Sequence, residues 1–527
     1  MNPELQQLSQ AGRAAVQKRD WTTLEDCAAK ILERWNDAAE GWFLAGLAEK
    51  NRHRPLKAAR NFERALEIDA GRYDAAIELA GQHSLARKNA EAAALLDRYG
   101  PALANSPLYL NMAGSVYTQI GLPEKGVPLL EAANRLQPDI DLFQANLATC
   151  YVYLGRIDEA RRLYAGLLER FPAHQRNHYE YARLGRATDE THIRQMKDLL
   201  KTLGTPPEQN VFLYYAIGKE LEDLERWDEA FGFYRTGGNA VASVAKHDAG
   251  EDVAIVDAVI ESCNADWLAA GKEAPAAERH GRTPILVTGL PRTGTTLTER
   301  IVSSHSQVTP VGEPQFFPMA VRQASGTRTT ERMNADIVRG AAAADVRDIG
   351  DTYMEKLSYR IGDTPFFVDK LPFNFLFLGF AAKAWPDARL VVLWRHPLDS
   401  CYAMYKQVFT WAYKFSYTLE DLGRYYIAHE RLYRHWQELL GDRLVTLRYE
   451  DLVGDQEGET RTLLERLGLE FEEACLDFDR NPAASTTASS VQVREKIHDR
   501  SVGRWKQVAP HLEPLRRQLE DAGIDLG

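Results

Sequence analysis

Along the first 240 residues apolar positions recur at helical spacing, and the pattern itself repeats. Small residues at Ala58, Ala92, Gly126 and Ala160 stand 34 positions apart, each followed four residues later by a bulky one: Phe62, Leu96, Leu130 and Tyr164. Gly121 and Gly155 keep the same interval, as do Pro138 and Pro172. A small residue lets two helices approach, a bulky one fills the gap, and a proline ends the second helix. Such a unit cannot bury its face alone, so the units must stack. Past residue 282 the pattern changes. Short apolar, β-branched runs at 285–288, 366–368, 389–394 and 444–447 alternate with helical stretches. That order predicts a mainly parallel sheet covered by helices on both faces.

The length of the repeat and its small, bulky and proline positions resemble the tetratricopeptide repeat. Trp21 to Trp35 reads as a degenerate first unit, and Trp227-Asp-Glu-Ala-Phe231 with Tyr234 as a last one, about six in all. A solenoid of this kind presents a concave surface, so a peptide or protein acceptor or partner is expected there, with homodimerisation or simple packing against the second domain the equal alternative. Gly237-Gly238 and the polar stretch 272–281 read as connecting segments. The expected division is a repeat solenoid over 1–240, a helical bridge over 241–282 and a second domain over 283–527.

The candidate chemistry begins at Pro284-Ile-Leu-Val-Thr-Gly-Leu-Pro-Arg-Thr-Gly-Thr-Thr-Leu. A buried strand, a glycine loop and a helix N-terminus make a phosphate cradle, because unpaired amides of the first helical turn face the anion. Gly289 and Gly294 keep the spacing of the triphosphate-binding loop, and Thr296 its hydroxyl, but Thr295 stands where that loop needs lysine. Arg292 supplies a fixed cation inside the loop instead. The run Pro291 to Leu297 resembles the 5′-phosphosulfate loop of the sulfotransferases, and the surrounding segments are similar to the tyrosyl-protein and Golgi-type members.

The resemblance implies an α/β three-layer, P-loop-like domain behind the all-α tetratricopeptide-repeat solenoid. It also implies transfer of a sulfuryl group from 3′-phosphoadenosine 5′-phosphosulfate to a hydroxyl or amine, without a metal. Arg292 with Thr293, Gly294, Thr295, Thr296 and Leu297 would hold the 5′ end. Glu313, in a Gly-Glu pair, matches the general base, and Lys370, in Lys-Leu-Pro, matches the cation on the departing oxygen, assisted by Asn374. Arg395, in Arg-His-Pro, matches the 3′-phosphate ligand. The serine usual eight residues later is Ala403 here, so Ser400 is the expected substitute. Tyr449 would neighbour the nucleotide, with Glu450 and Asp451 capping the next helix. Arg494, Lys496, Ser501, Arg504 and Lys506 fall in the segment that closes over the donor. The aromatic run from Tyr402 to Tyr417, Trp411 included, reads as core and pocket wall.

Composition narrows the rest. A net charge of −11 argues against a general nucleic-acid or membrane-surface binder. Five scattered cysteines without Cys-x-x-Cys spacing suit a reducing compartment and offer no metal framework. No signal peptide and no membrane-length apolar run is visible, so a cytoplasmic setting is expected. Two alternatives stay open: a P-loop nucleotide kinase or phosphotransferase, and a repeat scaffold carrying an inactive nucleotide-binding domain. The acceptor, whether protein tyrosine, glycan, lipid or small molecule, is left open.

Overall fold

The computed structural model describes residues 2–270, 276–409, 412–487 and 489–526. Residues 271–275 of the expected connecting stretch, Trp411 and Ala488 lie outside the described residues. By compactness the chain divides into Met1–Leu154 and Gly155–Gly527.

The first unit is a run of helices from Pro3–Lys18 to Asp141–Leu154. Prolines open several of them, at Pro55, Pro107 and Pro123, where a missing N–H costs nothing. The bulky repeat positions Phe62, Leu96 and Leu130 are fully buried, and so are the small ones at Ala58 and Ala92. Their seats are small residues of the preceding helix. A Cβ on Gly46 would meet the Phe62 ring at 2.4 Å, and one on Gly114 would meet Leu130 Cγ at 2.6 Å and the Gly126 carbonyl oxygen at 2.8 Å. Each glycine lies 16 residues before its bulky partner.

The second unit opens with helices Ile157–Arg170, Gln175–Arg183, Thr191–Leu203, Val211–Asp223 and Trp227–Ala245. The same device recurs here, with Gly218 facing the Tyr234 ring at 2.6 Å. Gly237-Gly238, expected as a break, lies inside the helix Trp227–Ala245. Its glycines serve packing: a Cβ on Gly238 would stand 2.4 Å from the Tyr417 carbonyl oxygen.

Five parallel strands follow: β1 (Thr283–Gly289), β2 (Val308–Gly312), β3 (Phe366–Asp369), β4 (Arg389–Trp394) and β5 (Leu444–Arg448), in the order β2-β3-β1-β4-β5. The edge strand β2 was not among the four runs read from the sequence; with Pro310 inside it and a register shift after it, it has a weak apolar signature. Successive side chains go to opposite faces. Leu286, Leu390, Val392 and Leu444 join one core with Phe317, Tyr353, Trp385 and Trp436. Ile285, Val287, Val391, Leu393, Val445 and Leu447 join another with Ile301, Leu463 and Leu467. Two cores on two faces make three layers.

The chain leaves central β1 for the edge at β2, returns to β3, and crosses to β4 on the far side. In sheets of this type ligands sit beyond the carboxyl ends, where the strand order reverses. That point is the end of β1.

Gly114→Val should destabilise the first unit by about 1–3 kcal/mol, because one of the two contacts is backbone and cannot swing aside. Denaturant unfolding of the variant beside wild type reads this directly; an unchanged midpoint would mean the helix pair separates freely.

Candidate active site

Gly289 ends β1 at φ +138° and Gly294 caps the helix Thr295–Ser303 at φ +103°. A Cβ on Gly289 would lie 2.8 Å from the Leu393 carbonyl oxygen, and one on Gly294 2.7 Å from the Tyr449 ring. Only glycine meets both the angle and the space. Thr293 Oγ1 donates to the Leu290 carbonyl at 2.7 Å, closing the loop on itself. The amides of Thr295, Thr296 and Leu297 open the helix and have no intrahelical acceptor.

Arg395, just past β4, donates from Nη1 to the Arg292 carbonyl at 2.9 Å and from Nη2 to the Ser501 carbonyl. Its guanidinium lies 4.7 Å from the Tyr449 ring centre, and its buried Nε has no hydrogen-bond partner among the described residues. Arg292 adopts φ +70° and donates to Ser489 Oγ and Gln492 Oε1. Withdrawal from water, then the positive charges of Arg183 and Arg395, lower its guanidinium to about 10.

The ends of β2 and β3 carry the second group. Lys370 is fully buried; its amide donates to the Gly312 carbonyl at 2.9 Å, and its ammonium pairs with Glu313. Glu299, one turn into the loop helix, places a carboxylate oxygen 3.9 Å from the same ammonium. Burial raises the Glu299 carboxyl above the usual range, opposed by Lys370 and reinforced by Glu313. Beside them Asp369 accepts from Tyr353 Oη at 2.6 Å, and burial raises its carboxyl to about 7.

The closing segment is pinned at several points. Asp399 accepts from the Gly503 amide at 2.6 Å and the Trp505 amide at 2.9 Å. Arg504 Nε donates to Glu222 at 2.9 Å. Arg494 donates to the Asn481 and Ala483 carbonyls at 2.8 and 2.9 Å. Under this segment lies a cavity of about 600 Å³ whose lining includes Arg292, Gly294 to Leu297, Arg395, Ala403, Tyr449, Arg494, Lys496, Ser501 and Arg504.

Not every expected residue reaches this cavity. Thr293 is buried behind the loop, and Lys506 is not in the lining. Lys370 and Glu313 are not in it either; they sit at neighbouring strand ends, paired to each other. Ser400, expected to replace the missing hydroxyl, is a correction: it is buried, its Oγ donates to the Arg395 carbonyl at 3.2 Å, and Ala403 takes the wall position. Glu450 and Asp451 lie inside the first turn of the next helix, Tyr449–Gly454, rather than at its N-cap, and the Glu450 carboxylate accepts from the His396 amide at 2.9 Å. Residues that the sequence did not single out are Asp399, Glu299 and the repeat-helix residues Arg183, Lys219 and Glu222, which share the lining apart from Glu299. A charged residue among apolar neighbours on a helix, as Glu299 is before Ile301 and Val302, was the available signal.

Residues 284–473 match the family model described as "Sulfotransferase family". An uncharacterized protein of Aquifex aeolicus (strain VF5) is 27% identical over 407 residues, covering 74% of this chain and 53% of that protein. Protein-tyrosine sulfotransferase 1 of Danio rerio is 25% identical over 233 residues, covering 42% of this chain and 65% of that one. The chain thus spans between half and two thirds of these relatives. Among solved structures, the sulfotransferase domain from the curacin biosynthetic pathway is 16% identical, covered in full against 47% of this chain, with a TM-score of 0.34. YrrB, a tetratricopeptide-repeat protein with an unusual peptide-binding site, is 16% identical, 96% covered against 39% of this chain, with a TM-score of 0.28.

In the α/β domain the raised Asp369 carboxyl makes stability depend on pH. The fold favours its protonated form, so between about pH 4 and 7 the native chain holds more proton than the unfolded one. Its contribution to stability therefore falls as pH rises through that window. Asp369→Asn keeps an acceptor for Tyr353 and removes the titration. In urea unfolding, the variant should gain on wild type between about pH 4.5 and 8; a constant difference would mean that the buried carboxyl does not titrate there.

Proposed function

We propose that this chain transfers a sulfuryl group from 3′-phosphoadenosine 5′-phosphosulfate to an acceptor hydroxyl or amine. One observation carries the reading. Two arginines, from the ends of β1 and β4, converge on a glycine loop within a cavity of about 600 Å³, a size suited to a nucleotide. The partnerless Arg395 Nε and the glycine at 294 fit an anionic group held close to backbone.

The parts then take these roles. Arg292 and the amides of Thr295 to Leu297 hold the 5′-phosphosulfate, Arg395 the 3′-phosphate, and Tyr449 borders the nucleotide. Arg494, Lys496, Ser501 and Arg504 close over it. Glu313 takes the acceptor's proton as its oxygen or nitrogen bonds to sulfur. The bond from sulfur to the bridging oxygen breaks on the opposite side, and the electron pair leaves with the nucleotide's 5′-phosphate. Lys370 holds the Glu313 carboxylate and supplies positive charge beside the departing oxygen. The repeats and the likeness to a tyrosine sulfotransferase support a peptide acceptor, a tyrosine hydroxyl foremost. Five thiols buried without a disulfide fit a cytoplasmic setting.

Calorimetry with 3′-phosphoadenosine 5′-phosphate in EDTA, with magnesium ATP as control, tests the donor. Tight metal-free binding that disappears in Arg395→Ala is the expected result; preference for ATP would return the loop to the kinases. Lys370→Met should leave that binding little changed and lower turnover on the order of a hundredfold or more. Undiminished turnover would take Lys370 out of the reaction.

A further inference from the structure

One wall of the donor cavity comes from the repeat helices, and its centre is a buried carboxylate. Glu222, on the helix Val211–Asp223, is 4% exposed. Its Oε1 accepts from Lys406 Nζ at 2.6 Å and from Arg504 Nε at 2.9 Å, and its Oε2 from Tyr234 Oη at 3.0 Å. These three partners belong to three places: the end of the helix after β4, the closing segment, and the last repeat helix. Arg504 also lies over the Trp227 ring, 4.6 Å from its centre, on that same repeat helix.

We propose that Glu222 is a positioning residue for the donor site, clamping the closing segment so that the last repeat pair completes the nucleotide cavity. The segment 501–505 is gripped on both sides. Asp399 of the α/β domain binds its backbone at 503 and 505, and Glu222 of the repeats binds the side chain between them. Burial alone would raise the Glu222 carboxyl; the two cations outweigh it and hold it below the usual range. Glu222 offsets one of the two positive charges and fixes both Lys406 and Arg504 in the wall beside Arg292 and Arg395. The repeats are on this view part of the catalytic machinery as well as a docking surface. The inference rests on the reading of the cavity as a donor-nucleotide site.

The sign of the effect separates a clamp from a bystander. A carboxylate that is merely near an anion site repels the ligand, so its removal should tighten binding. A clamp predicts the reverse: Glu222→Gln in the full chain should bind 3′-phosphoadenosine 5′-phosphate on the order of tenfold more weakly, with faster amide exchange over 501–506. Arg504→Gln releases the same anchor from the other side and should reproduce the faster exchange over 501–506, which covers a Glu222 variant that fails to fold. Unchanged or tighter binding, or unchanged exchange over 501–506, would overturn the clamp. If wild type itself does not bind the nucleotide, the donor reading fails instead, and the exchange measurement, which needs no ligand, still decides the clamp.

Discussion

The bond from Arg395 to the Arg292 carbonyl joins the ends of two neighbouring strands across the mouth of the sheet. It ties the glycine loop to the end of β4 and sets the Arg395 guanidinium beside the loop that carries Arg292. Everything nearby is arranged to permit it. Gly289 passes 2.8 Å from the β4 backbone, counted from the Cβ it lacks, and Gly294 clears the ring of Tyr449 over which Arg395 lies. Two like charges so close are costly in a dry site unless backbone dipoles and a ligand share the burden. Carbonyls at 292 and 501 supply the first part.

A second arrangement of charge sits two strands away. Lys370 is enclosed at the end of β3 with Glu313 at the end of β2 and Glu299 beneath it on the loop helix. A buried ammonium demands a paired carboxylate. Glu313 meets that demand at the partly exposed side, and Glu299 at the closed side, where burial raises its carboxyl. The two charge clusters share the loop helix, so a movement of Thr295–Ser303 reaches both.

Much of this was legible in the residues. The 34-residue interval named the helix pairs because close packing of helices restricts the same positions in every unit. The glycine loop was legible because strand end, glycines and helix start are contiguous in sequence. Lys370 and Arg395 stood out because each follows a strand end; Arg395 lines the cavity, and Lys370 is buried beside Glu313. What escaped has a common cause. Gly237-Gly238 looks like a break, yet its missing Cβ atoms make room for Tyr215 and the Tyr417 backbone. Ser400 has the right chemistry near Arg395, but one helical turn takes it away from the cavity while Ala403 faces it.

From the sequence alone came the local facts: a repeating helical half, a parallel α/β half, and a glycine loop between a buried strand and a helix start. These depend on spacing and on backbone freedom, which are properties of short stretches. Tertiary structure alone decided which distant charges meet. Glu222 and Arg504 lie 282 positions apart and Asp399 and Gly503 104 apart. No interval along the chain could mark them as partners, since their contact follows from how helices and strands pack and not from any local preference.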